Sequence, residues 1–227
     1  MYIPNAKIIS IDEARALIAP NLARHLARHL ADRDLQIMLD DELMFADEYD
    51  RSGVLLLPAG AVIEGGFRLD YETAECEGKP YRGVLALGSL TVSGDILNCN
   101  ADGGPFLVVL GGLTARRILK GGATFIIAGP VTSPGMIYCE YNHGAFRAFG
   151  GVAAQGIILD DQSHEIAAPI SGIKLDLWKD DATQYLLPEF FYEDEEGSIA
   201  PIDELSELLK ARILAGEPIF RDDAPGA

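Results

Sequence analysis

Four stretches decide the fold: VLALGSLTVSGDIL (84–97), VVLGGLTARRILK (108–120), IIAGPVTSPGMIY (126–138) and RAFGGVAAQGIIL (147–159). Each has a short apolar run, then a glycine (Gly88, Gly111, Gly129, Gly150), then an apolar residue two positions on (Leu90, Leu113, Val131, Val152). A second apolar pair follows seven and eight positions past the glycine, as in Ile118-Leu119 and Ile157-Ile158. The intervals between successive glycines are similar but unequal, and Gly/Asn/Asp-rich turns absorb the difference. A period of about 20 residues built from β-type runs and turns predicts a mainly β chain, a single-stranded parallel β-helix in which each repeat is one coil. Inward side chains then stack coil over coil, and the glycines are expected at corners, as residues tolerant of positive φ. Pro130 stands where the sibling repeats have Ser89, Gly112 and Gly151, so that corner has no N–H to donate.

Outward from the repeats, the chain divides into an N-terminal helical and acidic cap (1–52), the solenoid (53–178) and an acidic C-terminal segment with an amphipathic helix (179–227). Val54–Leu57 and Ala61–Ile63 read as a first, irregular coil, and Tyr71–Pro80 as a loop protruding from it. Ser10 and Glu13 form a capping-box pattern for a helix carrying Ile11, Ala14, Leu17 and Ile18, which Pro20 is expected to end. Asn21 then caps a second helix. Its His25 and His29 have the spacing of a zinc-binding pair, but with no glutamate between them they read as a helix-surface pair among Arg24 and Arg28. The alternating run 173–178 reads as a last strand. Asp203–Ala215 reads as a helix with early acids, late bases and a Gly216 stop, its face of Leu205, Leu208, Leu209 and Ile213 packing back onto the solenoid.

The 227 residues carry a formal net charge of −17, unevenly spread. Residues 1–80 hold 15 acids and 8 bases, residues 81–175 hold 6 of each, and residues 176–227 hold 14 acids and 4 bases. The neutral repeats lie between acidic flanks, a field that repels nucleic acid and anionic membranes. It serves solubility on the plainer reading and steers in a basic protein partner on the sharper one. Cys76, Cys99 and Cys139 are widely spaced and lack a CxxC pairing, so reduced thiols are expected. With no signal-peptide pattern and no long apolar window, the expected address is cytoplasmic. GxGxxG, P-loop, GxSxG and HExxH motifs are absent from the sequence.

Chemistry is suggested only when repeats are stacked. Aligning Gly129 with Gly150 sets Cys139 beside Asp160, Glu140 beside Asp161 and His143 beside His164. Glu140, His143, Asp160, Asp161 and His164 then form a possible metal or ligand cluster, with a divalent metal as the conceivable cofactor and a solvated turn ladder as the plainer account. For a carbohydrate-active β-helix enzyme the basic groove residues would be Arg116, Arg117, Lys120 and Arg147.

The GGLTA and GGVAAQ phrasing, with the YNHG (141–144) and DDQSH (160–164) turns, resembles a group of uncharacterised bacterial β-solenoid proteins and, distantly, the polymer-forming bactofilins. Over residues 84–166 that resemblance implies a right-handed solenoid and, as one function, a self-assembling structural protein. It implies no catalytic residue. The long acidic flanks favour instead a non-enzymatic protein-binding solenoid, of immunity or scaffold type, engaging a basic partner as a monomer or small homo-oligomer.

Overall fold

A computed structural model of the chain describes residues 3–26, 53–140 and 143–226. The N-terminal arm is β1 (Lys7–Ser10) and α1 (Ile11–Leu26). The first coil holds β2 (Gly53–Leu57), β3 (Ala61–Ile63), β4 (Phe67–Arg68) and the small pair β5 (Glu75–Cys76) and β6 (Lys79–Pro80). Five coils follow, each a short strand and then a long one: β7 (Gly83–Ala86) and β8 (Leu90–Asn98), β9 (Phe106–Val109) and β10 (Leu113–Lys120), β11 (Phe125–Ile127) and β12 (Val131–Glu140), β13 (Ala145–Ala148) and β14 (Val152–Asp160), β15 (Ser163–Ile166) and β16 (Ile170–Asp176). Two 3₁₀ turns, the hairpin β17 (Phe191–Glu193) and β18 (Ile199–Pro201), and α2 (Leu205–Ala215) complete the chain.

The short strands stack in the order β2-β7-β9-β11-β13-β15 and the long ones in the order β8-β10-β12-β14-β16, all parallel. This is the predicted parallel β-solenoid, and the long strands start in the register the sequence implies: Leu90, Leu113, Val131 and Val152 form one row. Ile96, Ile118, Ile137 and Ile157 form another. Both rows are buried in the central core with the inward row Val84, Leu107, Phe125 and Phe146 from the short strands. Each fully buried side chain of this size contributes about 1.5–3 kcal/mol, so stacking of the rows is the main stabilising term.

The terminal helices flank the solenoid on its outer faces. The Ser10–Glu13 capping box forms as expected: Glu13 N–H donates to Ser10 Oγ (3.2 Å) and Ser10 N–H to Glu13 Oε2 (2.9 Å). Ile11, Ala14 and Ile18 then pack on the outward residues Val54, Leu56, Leu85, Val108 and Ile126 of the short-strand sheet. The expected break at Pro20 is corrected: α1 runs through it to Leu26, because a proline removes one i→i−4 bond and need not stop a helix packed along its first turns. His29 and residues 32–52 lie outside the described residues. The Tyr71–Pro80 stretch is only partly a protruding loop. Ala74 and Tyr81 are buried in the core, and Glu77 and Gly78, both at positive φ, turn a two-residue hairpin between β5 and β6. Burial pushes the Tyr81 hydroxyl up to about 12. Among the described residues no helix is long and apolar enough to cross a membrane.

The repeat glycines do a different job from the one expected. Gly88, Gly111, Gly129 and Gly150 are not at positive φ. They lie where successive coils touch backbone to backbone: a Cβ on Gly111 would fall 2.5 Å from Ser89 N, and one on Gly129 would fall 2.6 Å from the Gly111 carbonyl carbon. The column is steric, not conformational.

Candidate functional site

The corner proposed for chemistry is built by β12, β14 and α2. The long strands carry a bulge: Ser133 pairs with Ala154, but Met136 pairs with Gly156. That extra residue shifts the later register, so Glu140 pairs with Asp160, and Cys139 pairs with Leu159 rather than with Asp160. The intervening turns differ in length as well, and His164 pairs with Phe146 instead of meeting His143. The expected His143–His164 stack is therefore not formed. His143 is exposed in its turn, Asp161 takes a positive φ of 48°, and Tyr141 and Asn142 lie outside the described residues. His164 Nδ1–H donates to the Gln162 carbonyl at 2.9 Å. Among the described residues no three His, Cys, Asp or Glu side chains converge as a metal ligand set.

What the structure does bring together is Glu140 and Asp160, and both face the C-terminal helix. Lys210 Nζ on α2 donates to Glu140 Oε2 (2.9 Å) and Oε1 (3.2 Å) and to Glu207 Oε1 (2.6 Å). Burial works against the Lys210 charge, but the two carboxylates outweigh it and hold its pKa above the ordinary value. Asp160 Oδ2 accepts from Tyr138 Oη (3.0 Å) and from Ser206 Oγ (2.7 Å). Burial, with Asp160 beside it, drives the Tyr138 hydroxyl upward, so it stays a donor. Under these polar contacts the outward row Leu119, Tyr138, Ile158 and Leu175 packs against Leu186, Phe190, Leu209, Ile213 and Ile219. The Phe220 ring lies over the bare face of Gly156, where a Cβ would collide with it. The predicted return of the apolar face of α2 onto the solenoid is realised, with Gly216 (φ 74°) stopping the helix.

The basic residues do not line one groove. Arg116 and Arg117 point outward from the long-strand sheet and both chelate Asp95: Arg116 Nε and Nη2 at 2.9 and 2.8 Å, Arg117 Nε and Nη2 at 2.9 and 2.7 Å. Arg147 belongs to the short-strand sheet. Lys120 is inward, 1% exposed, its Nζ donating to the Gly121 carbonyl and to Gln162 Oε1, each at 2.6 Å. Gln162 Nε2 in turn donates to the Gly144 and Ser163 carbonyls (2.6 and 3.0 Å). Burial pushes the nearby Cys139 thiol up to about 12, which leaves it a protonated core residue rather than a nucleophile. Sequence reading missed Asp95, Ser206 and Lys210 as partners. The last two are far along the chain from Asp160 and Glu140, the carboxylates they meet, and only the expected docking of α2 pointed to them. Among the described residues no buried side-chain nitrogen or oxygen lacks a hydrogen-bond partner. The corner thus works as a clamp for the C-terminal segment. Replacing Lys210 by methionine leaves Glu140 and Glu207 facing each other and is expected to cost about 1 kcal/mol. The readout is a lowered urea midpoint, and an unchanged midpoint would deny the clamp.

No known protein family, curated protein or solved structure matches the chain.

Proposed function

We propose that the protein is a non-enzymatic, protein-binding β-solenoid whose acidic C-terminal segment engages a basic partner, as an immunity-type or scaffold protein would. One observation carries the reading. Beyond the solenoid, the β17–β18 hairpin presents Glu193, Asp194, Glu195 and Glu196 in succession, with Tyr192 and Ile199 beside them 48% and 65% exposed. Exposed aromatic and aliphatic groups inside a one-sign field suit a partner that brings cations and buries an apolar anchor. The alternative of metal or sugar chemistry at the Glu140–His164 corner is less favoured, since Glu140 and Asp160 are engaged by Lys210, Ser206 and Tyr138. The setting proposed is reducing and cytoplasmic, where Cys76, Cys99 and Cys139 remain thiols.

The test is affinity capture from the source cells with the intact chain and with a variant carrying Glu193→Gln, Asp194→Asn, Glu195→Gln and Glu196→Gln. The expected result is a basic protein whose binding weakens at least about tenfold in the variant and falls steeply as salt rises from roughly 0.05 to 0.5 M. Capture of nothing, or of a protein indifferent to both changes, would overturn the proposal.

A further inference from the structure

The stack has two unlike ends. At the first end β1 lies antiparallel on β2, with Ile8 in register with the inward Leu55. Ile8 and Ala6 pack against the central core and Ile3, 5% exposed, is part of it, so the inward rows finish under cover. Reversal of β1 also ends the parallel ladder on that side.

Among the described residues the other end has no such cover. β15 and β16 are the last strands of their sheets. The inward rows step from buried Phe146, Ala148 and Val152 to His164, Ile166 and Ile170, all only half-buried. Ala167 N–H donates back to the Ala148 carbonyl (2.9 Å), and a parallel ladder alternates its donors. The N–H groups of His164 and Ile166 therefore point away from β13, toward the open side. The chain's own tail comes near Gly172 and Ile173 at Gly226, while Ala168, Pro169, Ser171 and Gly172 stay exposed. An open strand edge is a template for another strand.

Charge identifies the occupant. On a molecule of net charge −17, the β15–β16 coil (163–176) carries two acids, Glu165 and Asp176, and one lysine, Lys174, and Asp176 is paired with Lys179 (2.6 Å). Two copies repel across the acidic flanks but meet here without a charge penalty. The first end presents a reversed strand, β1, and is unlike the open end, whereas a second copy's open end is identical to it. A contact between like ends has two-fold symmetry and closes after one step. We propose that two copies of this chain join tail to tail through the β15–β16 coil, β15 running antiparallel to β15 of the second copy, and that assembly stops at this dimer. This inference is independent of the partner reading above.

Sedimentation velocity on the full chain, from about 1 to 100 µM, provides the test. The expected result is a concentration-dependent species of twice the 24.4 kDa chain mass. Ile166→Pro removes an N–H that points away from β13, and should weaken dimerisation at least about tenfold, with little change in the monomer's melting. Ile170→Lys, which sets like charges across the two-fold, should do the same and stands in if the proline variant fails to fold. A monomer at every concentration, a dimer that both variants leave intact, or growth into larger species and filaments would each overturn the proposal.

Discussion

Gly129→Ala is expected to lower the stability of the fold by roughly 3 kcal/mol or more, a fall in melting temperature of about 6–12 °C. The methyl would sit 2.6 Å from the Gly111 carbonyl carbon and 2.7 Å from the Gly111 oxygen and Gly112 nitrogen. These are backbone atoms of the coil beside it, so no side chain can swing aside. Moving the coil instead would stretch the hydrogen bond from Gly129 N–H to the Gly111 carbonyl (2.9 Å) and the neighbouring Leu113 N–H to Pro130 carbonyl bond (2.9 Å). Nor can Gly129 retreat in the other direction, because Gly150 stacks on it with even less room for a Cβ. Coils spaced at about 4.8 Å leave no slack for an extra methyl in this column. Gly216→Ala supplies the contrast. A Cβ there meets open space but sits at φ 74°, so its cost is the left-handed backbone alone, about 1–2 kcal/mol. Calorimetry on both variants separates the two effects. Gly129→Ala melting within a degree or two of the parent, or no lower than Gly216→Ala, would refute the steric column.

That contrast also shows what a repeat can and cannot tell a reader. The glycines at 88, 111, 129 and 150 are visible as a period, and the apolar residues two positions later predict one inward row correctly, while the second row falls at seven or eight positions as the bulges shift it. The period carries the stacking because each coil buries its rows only against its neighbours. It does not carry the reason for the glycines, since positive φ and close approach select the same residue and only coordinates distinguish them. The candidate site fared less well for a related reason. Between the Gly129 and Gly150 coils the register offset set at Val131–Val152 has shortened by one at Glu140–Asp160, and it is shorter still at Phe146–His164. A bulge and a shorter turn cause the drift, and neither leaves a residue signature in a single sequence. The helix that occupies the corner was legible as an amphipathic segment. Its landing place depends on contacts such as Ser206–Asp160, 46 positions apart, and these have no period to betray them.

Removing the Arg117 guanidinium is expected to free α2 from the solenoid before the rest of the fold is affected. Two consecutive outward residues are possible because the β8–β10 register slips between Ala115 and Arg117, which lets Arg116 and Arg117 both reach Asp95. Arg117 spends its Nε and Nη2 on that carboxylate and its Nη1 on the carbonyls of Ile213 (2.5 Å) and Leu214 (2.7 Å), in the last turn of α2. It therefore joins a carboxylate on the solenoid to the negative end of a helix dipole, with its own side chain 14% exposed. In Arg117→Ala the carbonyls lose a charged donor and Asp95 keeps only Arg116, whose side chain is 58% exposed. The expected loss is about 3 kcal/mol, and Arg117→Lys should recover little of it, since an ammonium cannot fork to a carboxylate and two carbonyls at once. Hydrogen exchange gives the local readout: amides of 205–215 should exchange far faster while those of β10 and β12 hold. Acid gives a second. Burial alone would raise the Asp95 carboxyl, but the hydrogen bonds and charges of Arg117 and Arg116 prevail and hold it below the usual carboxylate range. A depressed carboxyl contributes stability above its unfolded pKa of about 4 and loses it as pH falls through the folded value. The stability gap between the parent and Asp95→Asn should therefore be full at about pH 6 and shrink on acidification below about 4. Unchanged exchange in 205–215 for Arg117→Ala, or a gap that does not shrink in acid, would show that apolar packing alone holds the helix.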